Sequence, residues 1–145
     1  TEFRRTEGFD RTRNSHLAEI AILLGGRASE ELVLGSPGDG SGGMEGSDLH
    51  QATEIAAQLL VSYGLGGSLA HFATGAKGVA IARVARDPIF RTSLEAILVG
   101  CLERSRNILR AKRTTLDRIS KTLFETGEVK GVPDAAVCSA LGSAE

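Results

Sequence analysis

The chain has 145 residues, 41% of them apolar and 24% charged, with no tryptophan, which suffices for the core of one compact domain. Seventeen Lys and Arg against eighteen Asp and Glu leave a net charge of −1, so the positive excess of a dedicated polyanion binder is missing and nucleic acid is not an expected partner. Apolar stretches such as 21–24 and 97–99 fall far short of the roughly 20 residues a membrane helix requires, and a chain that opens on Thr1 without a signal-like segment is expected to be a piece of something longer.

Residues 1–13 read as a poorly ordered or extended remnant, and 14–145 as one helical domain. From Asn14 the apolar positions Leu17, Ile20, Leu24, Ala28 and Leu32 recur at three- and four-residue steps, predicting a first helix to about Leu34. Gly25 and Gly26 inside it cost roughly 2 kcal/mol of helix propensity together, which suggests close packing of another backbone. Six glycines in the twelve residues 35–46 then predict a loop. Ser47 is the N-cap of a second helix, with Asp48 in its first turn and Leu49, Ala52, Ile55, Ala56, Leu59 and Leu60 as its buried stripe. Residues 68–86, broken by Gly75 and Gly78, are hardest to read, and a short extended piece is one option.

Asp87 before Pro88 marks a clear helix start, followed by the best stripe in the chain: Phe90, Leu94, Ile97, Leu98, Cys101, Leu102, Ile108 and Leu109. Thr114 and Thr115 with Asp117 predict the next N-cap, for a helix carrying Leu116, Ile119 and Leu123 and closed by Gly127. Pro133 opens a short last helix with Ala136, Val137 and Leu141. The predicted fold is all-α, a helical bundle with a long antiparallel helix pair and a Gly-rich loop.

Chemical motifs are sparse. Glycines 38, 40 and 43 formally fit a dinucleotide fingerprint, but a helix precedes them and Asp39, Glu45 and Asp48 surround the loop with negative charge, so no nucleotide is expected there. No Walker lysine follows a glycine run and no serine sits in a nucleophile elbow. His16, His50 and His71 are too far apart to pair on one helix face, so a complete zinc site is not expected. Cys101 and Cys138 lie at apolar-periodic positions and read as buried small hydrophobes. Arg104, Arg106, Arg110, Lys112 and Arg113 gather at one helix junction, either a solvated face or a contact for acidic partners. From periodicity alone Asp48 is a helix-stabilising charge.

Two blocks change that reading. Residues 17–34 (LAEIAILLGGRASEELVL) and 42–64 (GGMEGSDLHQATEIAAQLLVSYG) resemble, in order and spacing, the LLGGRAAEE and NDL-containing blocks of the FtsH-type ATP-dependent zinc metalloproteases, and the likeness extends from about Thr12 to Leu141. In that family zinc is held by the two histidines of an HExxH helix and an aspartate of the NDL block, and the HExxH glutamate activates the bound water. The resemblance implies that Asp48 is the third zinc ligand, that Glu30 and Glu31 have supporting or structural roles beside Gly25 and Gly26, and that Arg27 is their ion partner.

The departures matter too. This chain contains no HExxH, so no catalytic residue is assigned within it and it is expected to be inactive and to hold no zinc alone. Gly25 and Gly26 are expected to mark where the catalytic helix packs, leaving an apolar strip uncovered. Ser47 replaces the family's usual asparagine before the aspartate. The resemblance further implies a parent that degrades unfolded proteins, binds ATP only through a separate module, assembles as a homo-hexamer and faces the cytoplasmic side of a membrane reached only through other segments, this piece itself being soluble. The alternative is a non-catalytic helical scaffold or oligomerisation module derived from such a peptidase domain.

Overall fold

The computed structural model describes residues 11–40, 42–73 and 78–127. The expectations for residues 1–10, for the helix opening at Pro133 and for Cys138 lie outside these. Among the described residues every regular element is a helix: α1 (Arg13–Leu23), α2 (Gly25–Leu34), α3 (Asp48–Val61), α4 (Val79–Ala85), α5 (Pro88–Ala111) and α6 (Arg113–Thr126).

The core is organised around α3. Ala52, Ala56, Ala57, Leu59, Leu60 and Val61 are all buried, and α1, α4 and α5 pack against this helix. One cluster joins Ile20, Ala21 and Leu24 of the α1 region to Ala52, Ala56 and Leu59 of α3 and Cys101 of α5. A second joins Ala57, Leu60 and Val61 to Ala80 and Val84 of α4, with Phe90 of α5 packed on it. Each buried Leu, Ile or Val contributes about 1.5–3 kcal/mol by leaving water, and the alanines let the neighbouring helices approach closely.

The helix starts read from sequence are where caps are strongest. Ser47 Oγ accepts the His50 N–H at 3.3 Å and opens α3. Asp87 Oδ1 accepts the Ile89 and Phe90 N–H groups at 2.9 and 3.4 Å and opens α5 with Pro88 behind it.

Several features differ from expectation. The helix expected to run unbroken to Leu34 divides at Leu24 into α1 and α2. Two glycines of low helix propensity follow that residue, and Ser29 Oγ donates to both their carbonyls, at 2.6 Å for Gly25 and 3.1 Å for Gly26, in competition with the helix ladder. No backbone packs on these glycines among the described residues, since a Cβ at either would meet nothing within 4 Å, and Ile22, Val33 and Leu34 nearby are exposed. The segment that reads poorly contains α4, a two-turn helix launched from Gly78 at φ +87° and buried through Ala80 and Val84. The threonine cap expected for α6 is not used: α5 runs to Ala111, a single break at Lys112 follows, and α6 starts at Arg113 without a side-chain cap. There is no extended residue there in which a threonine could cap. Nor does burial support an antiparallel α5–α6 pair, because α6 has no buried residue and meets α5 at little more than their junction.

The turn after α3 approaches the helix so closely that only glycine fits. A Cβ on Gly66 would lie 2.7 Å from Leu60 Cα and 2.8 Å from the Leu59 carbonyl oxygen. At the same end of the helix His16, 7% exposed, stacks on Tyr63 with ring centroids 5.2 Å apart. Its Nδ1 is buried with no hydrogen-bond partner among the described residues. Burial, then the Arg11 charge, push the His16 pKa below its ordinary 6.5, against the opposing pull of Glu19.

Two outcomes follow. Gly66→Ala should destabilise the chain by about 1–3 kcal/mol in urea denaturation, through overpacking against α3. Because the folded-state pKa of His16 is depressed, its contribution to stability is full above about pH 6.5 and is lost as pH falls through the folded value. The denaturation midpoint should therefore drop on acidification below pH 6.5, and His16→Phe should flatten that part of the profile.

Candidate functional site

Asp48 is the first residue of α3 and is exposed. Its backbone is fixed by what surrounds it: Ser47 caps the helix, the Gln51 N–H bonds the Ser47 carbonyl at 2.9 Å, and Leu49 packs into the core. The Gln51 side chain ties back to the Gly46 carbonyl at 2.8 Å, and the Leu49 side chain sits against Gly42. Among the described residues the Asp48 carboxylate takes no hydrogen bond and no ion pair. It is a rigidly based, unpaired oxygen donor facing solvent.

His50 lies two residues on, but it does not complete a metal pair. The Gly46 N–H donates to His50 Nδ1 at 3.1 Å, so the ring proton resides on Nε2 and neither nitrogen has a lone pair to offer. Among the described residues no three His, Cys, Asp or Glu side chains converge on a point that could hold a metal ion. The chemistry present is a single carboxylate oxygen donor, which could supply at most one ligand to a metal held by other residues.

The paired acids of α2 have separate tasks. Glu30 Oε2 accepts the Gly38 N–H at 2.8 Å and so holds the glycine-rich loop that leads to Asp48. Glu31 faces the other way. Its Oε2 receives both Nε and Nη2 of Arg106 on α5, at 2.7 and 2.6 Å, while Arg27 lies 3.4 Å from its second oxygen. Arg27 thus lies beside Glu31 and not Glu30, and the closer partner of Glu31 is Arg106, which sequence spacing could not reveal across 75 positions. Glu31 first, and Glu103 second, stabilise the charged Arg106, and Arg106 and Arg110 together hold the Glu103 carboxyl below the usual carboxylate range. Arg113 adds a second tie by donating to the Leu32 carbonyl at 2.7 Å, near the end of α2. Gly35, at φ +81°, then turns the chain into the loop.

Comparison with known proteins gives these residues a context. Residues 4–132 match the model of Peptidase family M41. The chain is 31% identical over 131 residues to the ATP-dependent zinc metalloprotease FtsH of Thermotoga maritima, covering 83% of this chain and 21% of that protein. To the protein of the same name from Methylococcus capsulatus it is 31% identical over 142 residues, covering 90% of this chain and 22% of the other. The chain spans about a fifth of the length of these relatives.

Glu30→Ala should release the glycine-rich loop without unfolding the bundle. Hydrogen–deuterium exchange is expected to quicken at the Gly38 amide and its neighbours, with amides of α3 unchanged and a stability loss of no more than about 1 kcal/mol.

Proposed function

The chain belongs to Peptidase family M41, and from that membership we propose that residues 14–145 are the helical part of the peptidase domain of an ATP-dependent zinc metalloendopeptidase, with Asp48 as a ligand to the zinc. The observation that carries this reading is the Asp48 carboxylate itself, unpaired and exposed at a helix start that the core holds rigid. When bound, zinc supplies a Lewis acid that lowers the pKa of a coordinated water toward 7 and polarises the scissile carbonyl. The residues of this chain do the placing. Ser47 and the packing of α3 fix the direction from which the Asp48 oxygen approaches, and Glu30 restrains the loop in front of it. Arg106 and Arg27 pair with Glu31 and so tie α2 to α5. Gly25 and Gly26 leave open space on the α2 surface, room for another helix to approach.

The histidine ligands and the general base are not in this sequence, so this chain alone is expected to be inactive and to hold no zinc. In the parent protein an ATPase module would deliver unfolded polypeptides to the site, within a homo-hexamer that other segments tether to a membrane. No helix among the described residues is long and apolar enough to cross one.

Elemental analysis tests the assignment. This chain should carry almost no zinc, and a version of the same protein extended N-terminally through an HExxH helix should carry about one ion per chain. Asp48→Ala in the extended form should lose that zinc and its chelator-sensitive proteolysis while its circular dichroism stays unchanged. Retention of stoichiometric zinc by Asp48→Ala would remove Asp48 from the site, and zinc in neither form would favour the scaffold reading.

A further inference from the structure

The turn that leads into α3 is held by the helix it precedes. The Ser47 N–H donates to the Met44 carbonyl at 3.2 Å and closes a four-residue turn, with Gly46 in its third position at φ +83°, a backbone conformation that favours glycine. Side chains from the first turn of α3 then take both polar groups of Gly46. Its N–H donates to His50 Nδ1 at 3.1 Å, and its carbonyl accepts from Gln51 Nε2 at 2.8 Å. The peptide planes on either side of Gly46 are thereby fixed by α3 itself.

This bears on the carboxylate beside the turn. A glycine-rich backbone with free N–H groups is a cradle for anions, and next to a carboxylate it would supply the donors that satisfy it and so compete with a cation. The loop before Asp48 has that composition, but its donors are engaged elsewhere. The Gly38 N–H goes to Glu30, the Gly42 N–H to the Asp39 carbonyl at 3.0 Å, and those of Gly46 and Ser47 to His50 and Met44. Asp48 takes none of them. The imidazole does not approach the carboxylate directly, because residues two apart on a helix point to different faces, so any influence of His50 on Asp48 runs through Gly46.

We propose that His50 is a positioning residue for Asp48: by holding the Gly46 N–H it keeps the turn from folding over the carboxylate and leaves that oxygen free for a divalent cation. This rests on the reading of Asp48 as a zinc ligand. Gln51 supports the same turn from its carbonyl side. Two substitutions isolate the role. In His50→Ala the acceptor is gone, while the backbone N–H that bonds Ser47 Oγ remains and alanine favours the helix. In His50→Asn the side-chain Oδ1 stands on Cγ as Nδ1 does in histidine, and it restores the acceptor.

Two measurements test it. In the full 145-residue chain, hydrogen–deuterium exchange at the Gly46 amide should quicken about fivefold in His50→Ala and return close to its original rate in His50→Asn, with the interior amides of α3 unchanged in both. In the protein extended N-terminally through an HExxH helix, competition against a zinc-chelating dye should show zinc held about tenfold or more weakly by His50→Ala and about as tightly as before by His50→Asn. Undiminished zinc affinity in His50→Ala, no recovery in His50→Asn, or unchanged exchange at Gly46 would overturn the proposal and leave Asp48 in place as a ligand. Weaker zinc binding accompanied by faster exchange throughout α3 would make the effect one of folding and overturn it as well. If the unsubstituted extended protein binds no zinc, or Asp48→Ala retains it, the reading of Asp48 falls and the proposal falls with it.

Discussion

Burial of α3 along nearly its whole length is the constraint on which everything else in this chain rests. Three helices lean on it, and both apolar clusters of the core include its residues. The sequence of α3 answers that demand with alanines at positions 52, 56 and 57, where neighbours must come close, and with Leu59, Leu60 and Val61 where volume must be filled. Exposed residues of α3 occur only in its first turn, and Asp48 sits there. A carboxylate at that point inherits the rigidity of the core without being buried by it. Holding the same group on the glycine-rich loop would require ordering several residues on each binding event, at a cost of about 1–2 kcal/mol per residue in backbone entropy.

The placement of α2 has a different physical origin. Ala28 is its one buried residue, so apolar packing alone does not fix this helix. Polar ties do: the half-buried Glu31–Arg106 pair to α5 and the Arg113 donation to the Leu32 carbonyl. Ser105, buried on α5, adds an adjacent fastening by donating to the Ala21 carbonyl on α1. Such pairs add little when exposed and cost several kcal/mol when one partner of a buried pair is removed, which makes them better at setting orientation than at adding net stability. The direction in which the chain leaves α2, and hence where Glu30 meets Gly38, is set by electrostatics, whereas the position of Asp48 is set by apolar packing.

This division explains what the sequence reveals and what it hides. The starts of α3 and α5 are legible because a cap residue and an apolar stripe coincide there, as at Ser47 and Asp87. The break at Leu24 is not, because a Gly-Gly pair inside a periodic stripe is compatible with a continuous helix or an interrupted one. The helix α4 is too short to display a period and depends on Gly78 and on burial against α3. The cap expected at Thr114 fails because α5 continues further than its clearest stripe and leaves no extended residue before α6. At the site, periodicity gives Asp48 only the role of a helix-start charge, and its link to zinc comes from whole-block resemblance. The Glu31–Arg106 tie, bridging 75 positions, has no local signature at all.

A single exposed carboxylate binds a divalent cation weakly in water, since the ion exchanges one well-hydrated environment for another. Affinity appears only when several donors converge with their geometry fixed in advance. On the proposed reading the donors of the zinc site would be divided between α3 and a separate HExxH helix, so the metal would sit at a seam between two packed elements rather than within one. Metal binding would then be linked to the docking of those elements, and each would stabilise the other by mass action. The open surface at Gly25 and Gly26 and the exposed Ile22, Val33 and Leu34 belong to the same logic. On that reading an uncovered apolar surface would supply the hydrophobic part of the docking energy, and the Asp48 carboxylate the part that a metal would complete.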